Sequence, residues 1–157
     1  MKTDIGLTDP QRKGVAEILS KVLADEYILL IKTKNYHWSV RGHHFNDLHK
    51  FFDEQYGQLT ETSDDIAERI RSLGELTKAT MGEFLKMGQL KEEPGALLNY
   101  DEMIENLLND HESIIRNLRK EIETCEKIYQ DVGTNDFLTG LMGKHEKMAW
   151  MLRAFLE

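Results

Sequence analysis

The sequence predicts an all-α protein, a four-helix bundle in which one long crossover joins the second helix to the third. Four long segments repeat apolar residues three and four positions apart, which is the helical period. Between the second and third of them lies a stretch with glycines and a proline that is too long for a hairpin loop. We expect this stretch to travel the length of the bundle, because a short turn would force the third helix antiparallel to the second. No segment reads as a strand.

The first helix is expected to run from about Asp9 to Trp38. Asp9 followed by Pro10 is a start signal, since Asp can cap a helix and Pro is tolerated at its first position. Arg41 and Gly42 mark the break that follows. Its apolar residues recur three, four or seven positions apart: Val15, Ile18, Val22, Leu29 and Tyr36.

The second helix is expected over Phe45 to Leu73, and Gly74 is placed to end it as a C′ glycine. The connector covers residues 75–99, and residues 80–87 within it are expected to form a short helix that covers an apolar face. The buried face of the second helix is expected to contain Leu48, Phe52, Gln55, Leu59, Thr62, Ile66 and Ile70.

The third helix is expected from about Tyr100 to Gln130, with Asp101 and Glu102 suited to its N-terminal dipole. Val132 and Gly133 should then break the pattern, and Thr134 or Asn135 should cap a last helix that ends near Phe155. The apolar face of the third helix is expected to contain Ile104, Leu107, Leu108, His111, Ile114, Ile115, Leu118, Ile122 and Ile128.

Composition narrows the possible functions. The 157 residues suit a single domain over residues 1–157, with residues 1–8 as a short N-terminal tail. The net charge of −8, from 20 basic and 28 acidic residues, argues against nucleic-acid binding. No apolar run reaches the length of about 18 residues that a membrane span needs. The start carries no signal-peptide core, and the lone Cys125 suits a small core residue in a reducing compartment, so we expect a cytoplasmic protein.

Five residues have the chemistry of metal ligands. His49 and Asp53, and likewise Asp64 and Glu68, are spaced i,i+4, so each pair shares one helix face. His37 lies at the end of the first helix. Imidazole and carboxylate groups suit Fe(II), Mn(II) and Zn(II). His49 and Glu68 would lie about 28 Å apart on one straight helix, so one copy of this helix cannot gather all the ligands around one metal.

Two copies of the second helix, one from each of two chains, could bring all the ligands together. If two copies pack antiparallel about a two-fold axis near Gln58, Asp64 and Glu68 of one chain face Asp53 and His49 of the other. Gly57 beside the axis would allow a close approach. The sequence therefore suggests a metal site that is shared between subunits and occurs twice in a dimer.

Each of these residues also has a simpler explanation. His37 alone suits a helix cap, Trp38 suits packing, and Asp64 with Glu68 suits a solvated face. Only their coincidence in a two-fold pattern favours metal. His43 and His44 are expected in an exposed turn, where an adventitious metal such as zinc is the alternative. The remaining two histidines, His111 and His145, are expected in the core or an interface. No histidine has a carboxylate three residues before it, which disfavours a di-iron site inside one bundle.

Three segments carry a family resemblance. The motif HWxVRGxxFxxLHxxFDE from His37 to Glu54, the segment DDIAERIRSLG from Asp64 to Gly74, and the ending MAWMLRAFLE resemble the Dps family of miniferritins. The long crossover is also the connectivity of ferritin-like folds. The resemblance implies hollow shells of twelve identical subunits, in which Fe(II) is oxidised, preferentially by hydrogen peroxide or else by oxygen, and is stored as ferric mineral, which protects against oxidative damage.

The resemblance also implies roles for particular residues. By position, the ferroxidase ligands would be His37, His49 and Asp53 of one subunit with Asp64 and Glu68 of its partner. Zn²⁺ or another divalent metal is a possible competitor for iron. The resemblance further implies a radical-absorbing role for Trp38 and pore carboxylates at Asp131 and Asp136.

Two other functions stay open. Some members of the family bind and compact DNA, commonly through a lysine-rich terminus. Here Lys2, Arg12 and Lys13 are offset by Asp4 and Asp9, and the sequence ends at Glu157 without a basic tail, so little DNA affinity is expected. The other alternative is a helical scaffold without enzymatic activity, whose carboxylates are only solvated and which binds no stoichiometric Fe(II).

Overall fold

The computed structural model describes residues 3–157, and the first two residues of the expected tail, including Lys2, lie outside the described part. Every regular element within that part is a helix. Two helical hairpins, α1 with α2 and α4 with α5, form the bundle, and α3 packs on α1 within the crossover. The five helices are α1 (Asp9–Ser39), α2 (Phe45–Ser72), α3 (Met81–Met87), α4 (Tyr100–Lys127) and α5 (Val132–Arg153). The predicted architecture is confirmed.

The core lies between the four long helices. All seven residues predicted for the inner face of α2 are buried, including the polar Gln55 and Thr62. On α4 the predicted face is only partly as expected. Leu108 and Ile122 are partly buried against the core, and Ile115 is only half-buried. Ile128 lies beyond the helix and is 67% exposed. The buried members of the predicted face are Ile104, Leu107, His111, Ile114 and Leu118. Cys125 is fully buried, as predicted. Between residues 3 and 157, none of the helices combines the length and apolar character that a membrane span needs.

The first helix begins with a different cap from the predicted one. Thr8, not Asp9, is the N-cap, and its hydroxyl accepts the backbone N–H of Gln11. The Gln11 side chain in turn accepts the backbone N–H of Thr8 at 2.8 Å. Such a capping box needs a side chain that accepts a hydrogen bond three residues after the cap. For Asp9 that residue is Arg12, whose guanidinium group only donates hydrogen bonds, so Asp9 cannot form the box. Asp9 forms an ion pair with Arg12 at 2.9 Å instead.

The predicted boundary between the last two helices is also wrong. Helix α4 ends at Lys127 rather than Gln130, and Gln130 takes a positive φ of 54° in the turn. Asp131 caps α5, accepting the backbone N–H of Thr134 at 3.0 Å, so Val132 and Gly133 lie in the first turn instead of breaking the pattern. The helix ends at Arg153, two residues before Phe155.

The crossover is held against α1. The ring of Phe84, on the short helix, stacks on that of Tyr27 with centroids 4.4 Å apart. The Asp25 carboxylate accepts the backbone N–H groups of Gln89 at 2.6 Å and Leu90 at 3.1 Å. A Cβ at Gly88 would lie 2.3 Å from Cδ1 of Ile28 on α1, so a side chain there would require the Ile28 side chain to move. The predicted short helix therefore forms, and it covers an apolar face as expected.

Candidate metal centre

His37, near the end of α1, and His49, in the first turns of α2, form a reciprocal pair. Their rings stack with centroids 3.8 Å apart and 20° between the planes. The Nδ1 atom of His37 lies 2.7 Å from the backbone oxygen of His49, and Nδ1 of His49 lies 2.8 Å from the backbone oxygen of His37. A carbonyl oxygen only accepts hydrogen bonds, so each Nδ1 must carry a hydrogen and donate it. With Nδ1 as the donor, Nε2 of each ring is the nitrogen whose lone pair can bind a metal.

Asp53 lies one turn after His49 on α2 and is exposed. One of its carboxylate oxygens, Oδ1, accepts a hydrogen bond from the Tyr56 hydroxyl. This bond stabilises the protonated phenol and raises the pKa of Tyr56. The ring of Tyr56 also meets the His37 ring edge-on, with centroids 5.3 Å apart and 80° between planes. Sequence reasoning missed Tyr56, although its position three residues after Asp53 on a helix was a usable signal.

Asp64 and Glu68 lie on an exposed face of α2. Within residues 3–157, neither carboxylate makes a hydrogen bond or an ion pair, whereas the adjacent Asp65 lies 3.6 Å from the Lys144 ammonium group. The described part of a single chain contains no group of three or more His, Cys, Asp or Glu side chains arranged to hold a metal. One chain therefore presents the histidine pair and the two free carboxylates as separate sets, and their meeting across a two-fold axis stays a prediction.

The ring of Phe45 packs on the histidine pair, and two large apolar side chains of α1 are exposed elsewhere on the helix. Phe45 stacks on His49 with ring centroids 5.1 Å apart, yet it is 46% exposed in the single chain. Trp38 is 70% exposed, and Ile31 on α1 is 41% exposed. Large apolar groups exposed together suit a surface that a partner covers. The suggested radical-absorbing role of Trp38 stays a prediction.

The two acidic residues predicted to line a pore have different environments. Asp131 is only 4% exposed, and its carboxylate is used by the α5 cap and by Arg69, whose guanidinium lies 3.3 Å away. Asp136 is exposed on α5. The geometry gives Asp131 a structural role, and it leaves Asp136 as the better candidate for a cation pathway.

A polar cluster inside the bundle was not anticipated. The fully buried Glu26 accepts a hydrogen bond from Nε2 of His145 and another from the Thr62 hydroxyl at 3.2 Å. Nδ1 of His145 lies 2.9 Å from Nδ1 of His111, so one hydrogen is shared between the two rings. Nε2 of His111 has no hydrogen-bond partner among the described residues. Burial and the neighbouring His145 place the pKa of His111 well below its ordinary value.

The other candidate residues match their predictions. His111 and His145 are core residues, and no sequence pattern pointed to Glu26 as their neighbour. His43 and His44 are exposed in the turn between α1 and α2, where the His44 ring meets Tyr100 edge-on. Burial raises the pKa of the Cys125 thiol to about 12, which makes this cysteine unreactive.

The helix order, the crossover and the ligand-type residues of α1 and α2 define a ferritin-like four-helix bundle. A family described as a ferritin-like domain matches residues 16–157. The chain is 50% identical over 156 residues to an uncharacterized low temperature-induced protein of Nostoc sp., covering 99% of this chain and 87% of that protein. It is 38% identical over 149 residues to DNA protection during starvation protein 2 of Bacillus anthracis, covering 92% and 98%.

Solved structures show the same similarity to Dps proteins. DpsC from Streptomyces coelicolor superposes with a TM-score of 0.96 at 30% identity, covering 100% of this chain and 91% of that one. The Dps protein of Vibrio cholerae, described as a member of a broad superfamily of ferritin-like diiron-carboxylate proteins, gives a TM-score of 0.91 at 28% identity, with 100% and 98% covered. The chain belongs to the Dps family of ferritin-like proteins, as its sequence motifs predicted.

Proposed function

We propose that the protein is an iron-storing miniferritin that oxidises Fe(II) at a centre shared between two subunits. The observation that carries the proposal is the stacked pair of His37 and His49, whose hydrogen bonds leave both Nε2 lone pairs for a metal. The pair lies one turn from the exposed carboxylate of Asp53. Family membership supports the same role, since the Vibrio cholerae relative is described as belonging to diiron-carboxylate proteins.

In the proposed centre, His37, His49 and Asp53 come from one subunit, and Asp64 and Glu68 come from its two-fold partner. Asp64 and Glu68 make no hydrogen bond or ion pair with the described part of their own chain, whereas Asp65, next to Asp64, is paired with Lys144. Two negative charges held without a cation on one helix face suit a cation supplied from outside the chain.

The donor set suits iron as the substrate. Carboxylate oxygens stabilise Fe(III) more than Fe(II), which favours oxidation, while the imidazoles hold Fe(II) before it reacts. Two Fe(II) ions each give one electron to one hydrogen peroxide molecule. Its O–O bond breaks, and two protons complete two water molecules, so no hydroxyl radical is released. The ferric product then hydrolyses and is stored as mineral; Zn²⁺ is the competitor that the same ligands would bind.

The proposed assembly is a homo-oligomeric shell of twelve subunits built on that two-fold contact. The exposed Phe45, which stacks on His49, and the exposed Ile31 and Trp38 of α1 give a subunit interface apolar surface to bury. Gly57, at the expected axis, has open space in front of its Cα within the described chain, so a second helix can approach closely there.

The test is anaerobic loading with Fe(II) followed by hydrogen peroxide, with ferric formation read by absorbance. We expect the variant Asp64→Ala/Glu68→Ala to oxidise iron more than about 100-fold more slowly, because loss of a metal's outer-shell partners alone typically costs about 10- to 100-fold. The matched control is Glu61→Ala/Asp65→Ala, which removes two carboxylates with the same i,i+4 spacing from the same helix.

The control variant should oxidise iron at the wild-type rate, and both variants should form the intact assembly by size-exclusion chromatography. If Asp64→Ala/Glu68→Ala also keeps the wild-type rate, these carboxylates are only a solvated face. The proposed shared centre is then wrong.

A further inference from the structure

Tyr56 connects two proposed ligands that come from different helices. Its hydroxyl donates a hydrogen bond to Oδ1 of Asp53 on α2. Its ring meets the ring of His37 on α1 edge-on, with centroids 5.3 Å apart. The Lys34 ammonium group, also on α1, lies 5.0 Å from the centre of the Tyr56 ring. The ring is thus held by α1 while its hydroxyl holds a carboxylate on α2.

This arrangement restrains the carboxylate of Asp53. Asp53 is exposed, and an exposed carboxylate turns freely between rotamers unless something holds it. The hydrogen bond from Tyr56 engages Oδ1 and restricts that rotation, which leaves Oδ2 free of the phenol. A ligand that is already oriented loses less conformational entropy when a metal binds.

We propose that Tyr56 is a positioning residue of the metal centre, which orients Asp53 so that one carboxylate oxygen faces the metal while the phenol holds the other. The proposal rests on the proposed function, because it takes Asp53 as a ligand. Tyr56 acts through Asp53 and His37 and does not itself bind the metal. Hydrogen-bonded partners of this kind commonly set both the affinity of a metal site and the orientation of its ligands.

The test is Tyr56→Phe, which removes the hydroxyl and keeps the ring against His37. Anaerobic titration with Co(II) reports affinity, and the visible d–d spectrum reports ligand geometry. We expect Co(II) to bind about 10- to 100-fold more weakly with an altered d–d spectrum. The thermal unfolding midpoint and the assembly should match the wild type. The matched control is Tyr27→Phe, which removes a phenol hydroxyl from a ring that stacks on Phe84.

Three results would overturn the proposal. Wild-type affinity and spectrum in Tyr56→Phe, while Asp64→Ala/Glu68→Ala loses Co(II) binding, would reject the positioning role and leave the proposed function standing. A phenolate-to-iron charge-transfer band in the ferric wild type that is absent in Tyr56→Phe would make Tyr56 a ligand instead. A wild-type protein that binds no Co(II) would reject both the positioning role and the shared centre.

Discussion

The protein has two histidine pairs with opposite hydrogen-bonding arrangements. His37 and His49 each donate Nδ1–H to a backbone carbonyl, so the Nε2 atom of each ring is available to bind a metal. His111 and His145 face each other through their Nδ1 atoms in the buried core, and Nε2 of His145 donates a hydrogen bond to Glu26. The first pair is arranged to accept a metal, and the second is arranged to share a hydrogen.

The buried pair gives a prediction for pH dependence. Since burial and His145 lower the pKa of His111 from its ordinary 6.5, the unfolded chain binds more protons than the folded chain below that pH. The free energy of unfolding should therefore fall as pH drops below 6.5, by up to about 1.4 kcal/mol per pH unit from this residue. In His111→Gln the decline between pH 6.5 and pH 4.5 should be shallower, as measured by urea unfolding.

The matched control is His44→Gln, which replaces an exposed histidine and should keep the wild-type slope. Burial raises the pKa values of Asp25 and Asp110, which act in the opposite direction, but both carboxylates are present in every variant and cancel from the comparison. Equal slopes in His111→Gln and the wild type would contradict the prediction.

The start of α5 is held by one carboxylate. Asp131 accepts the backbone N–H and the hydroxyl of Thr134, and it pairs with Arg69 of α2. The same interaction therefore ends the turn after α4 and attaches α5 to the other hairpin. A side chain at Gly133 would crowd the Arg69 guanidinium, so this glycine leaves room for the pair.

We expect Asp131→Ala to lower the free energy of unfolding by about 1–3 kcal/mol, because it removes a helix cap and leaves buried partners unsatisfied. Asp136→Ala, an exposed change one turn further on, should shift it by no more than about 0.5 kcal/mol. Chemical unfolding followed by circular dichroism measures both. Equal stability of Asp131→Ala and the wild type would show that the cap and the Arg69 pair contribute nothing.

At the scale of the whole molecule, charge bears on the DNA-binding alternative. The net charge of −8 makes an assembly of these chains strongly acidic, and the acidic residues of the N-terminal segment offset its basic ones. Binding to DNA draws most of its affinity from basic groups that release counterions, so an acidic protein should repel the duplex. The name of the Bacillus anthracis relative refers to DNA protection, and it does not specify how that protection arises.

We therefore expect the intact assembly not to retard linear duplex DNA in a gel mobility assay, even at low salt, where electrostatic affinity is greatest. A known cationic DNA-binding protein in the same buffer serves as the positive control. Retardation that disappears as salt is raised would contradict the expectation and would revive DNA binding as a function.

Local patterns predicted the helices better than their ends. The buried face of α2 followed directly from residues three and four apart, since that spacing is a property of the chain alone. Helix α1 begins at Asp9, as predicted, but its cap is Thr8 instead of Asp9, because Thr8 and Gln11 form a capping box. Val132 and Gly133 predict a break in the helical pattern, whereas they form the first turn of α5 because the buried Asp131 caps the helix there.

The sequence by itself determined the helical class, the crossover, the family and the ligand-type side chains, because periodicity and residue chemistry are local. Only the tertiary structure decided the hydrogens on His37 and His49, since each ring is bonded to the backbone of the other helix. It also decided that Glu26 meets His145, 119 residues away along the chain, that His145 in turn meets His111, and that Asp131 is buried. Such contacts depend on how the helices pack against one another, and the spacing of residues along the sequence does not predict that packing.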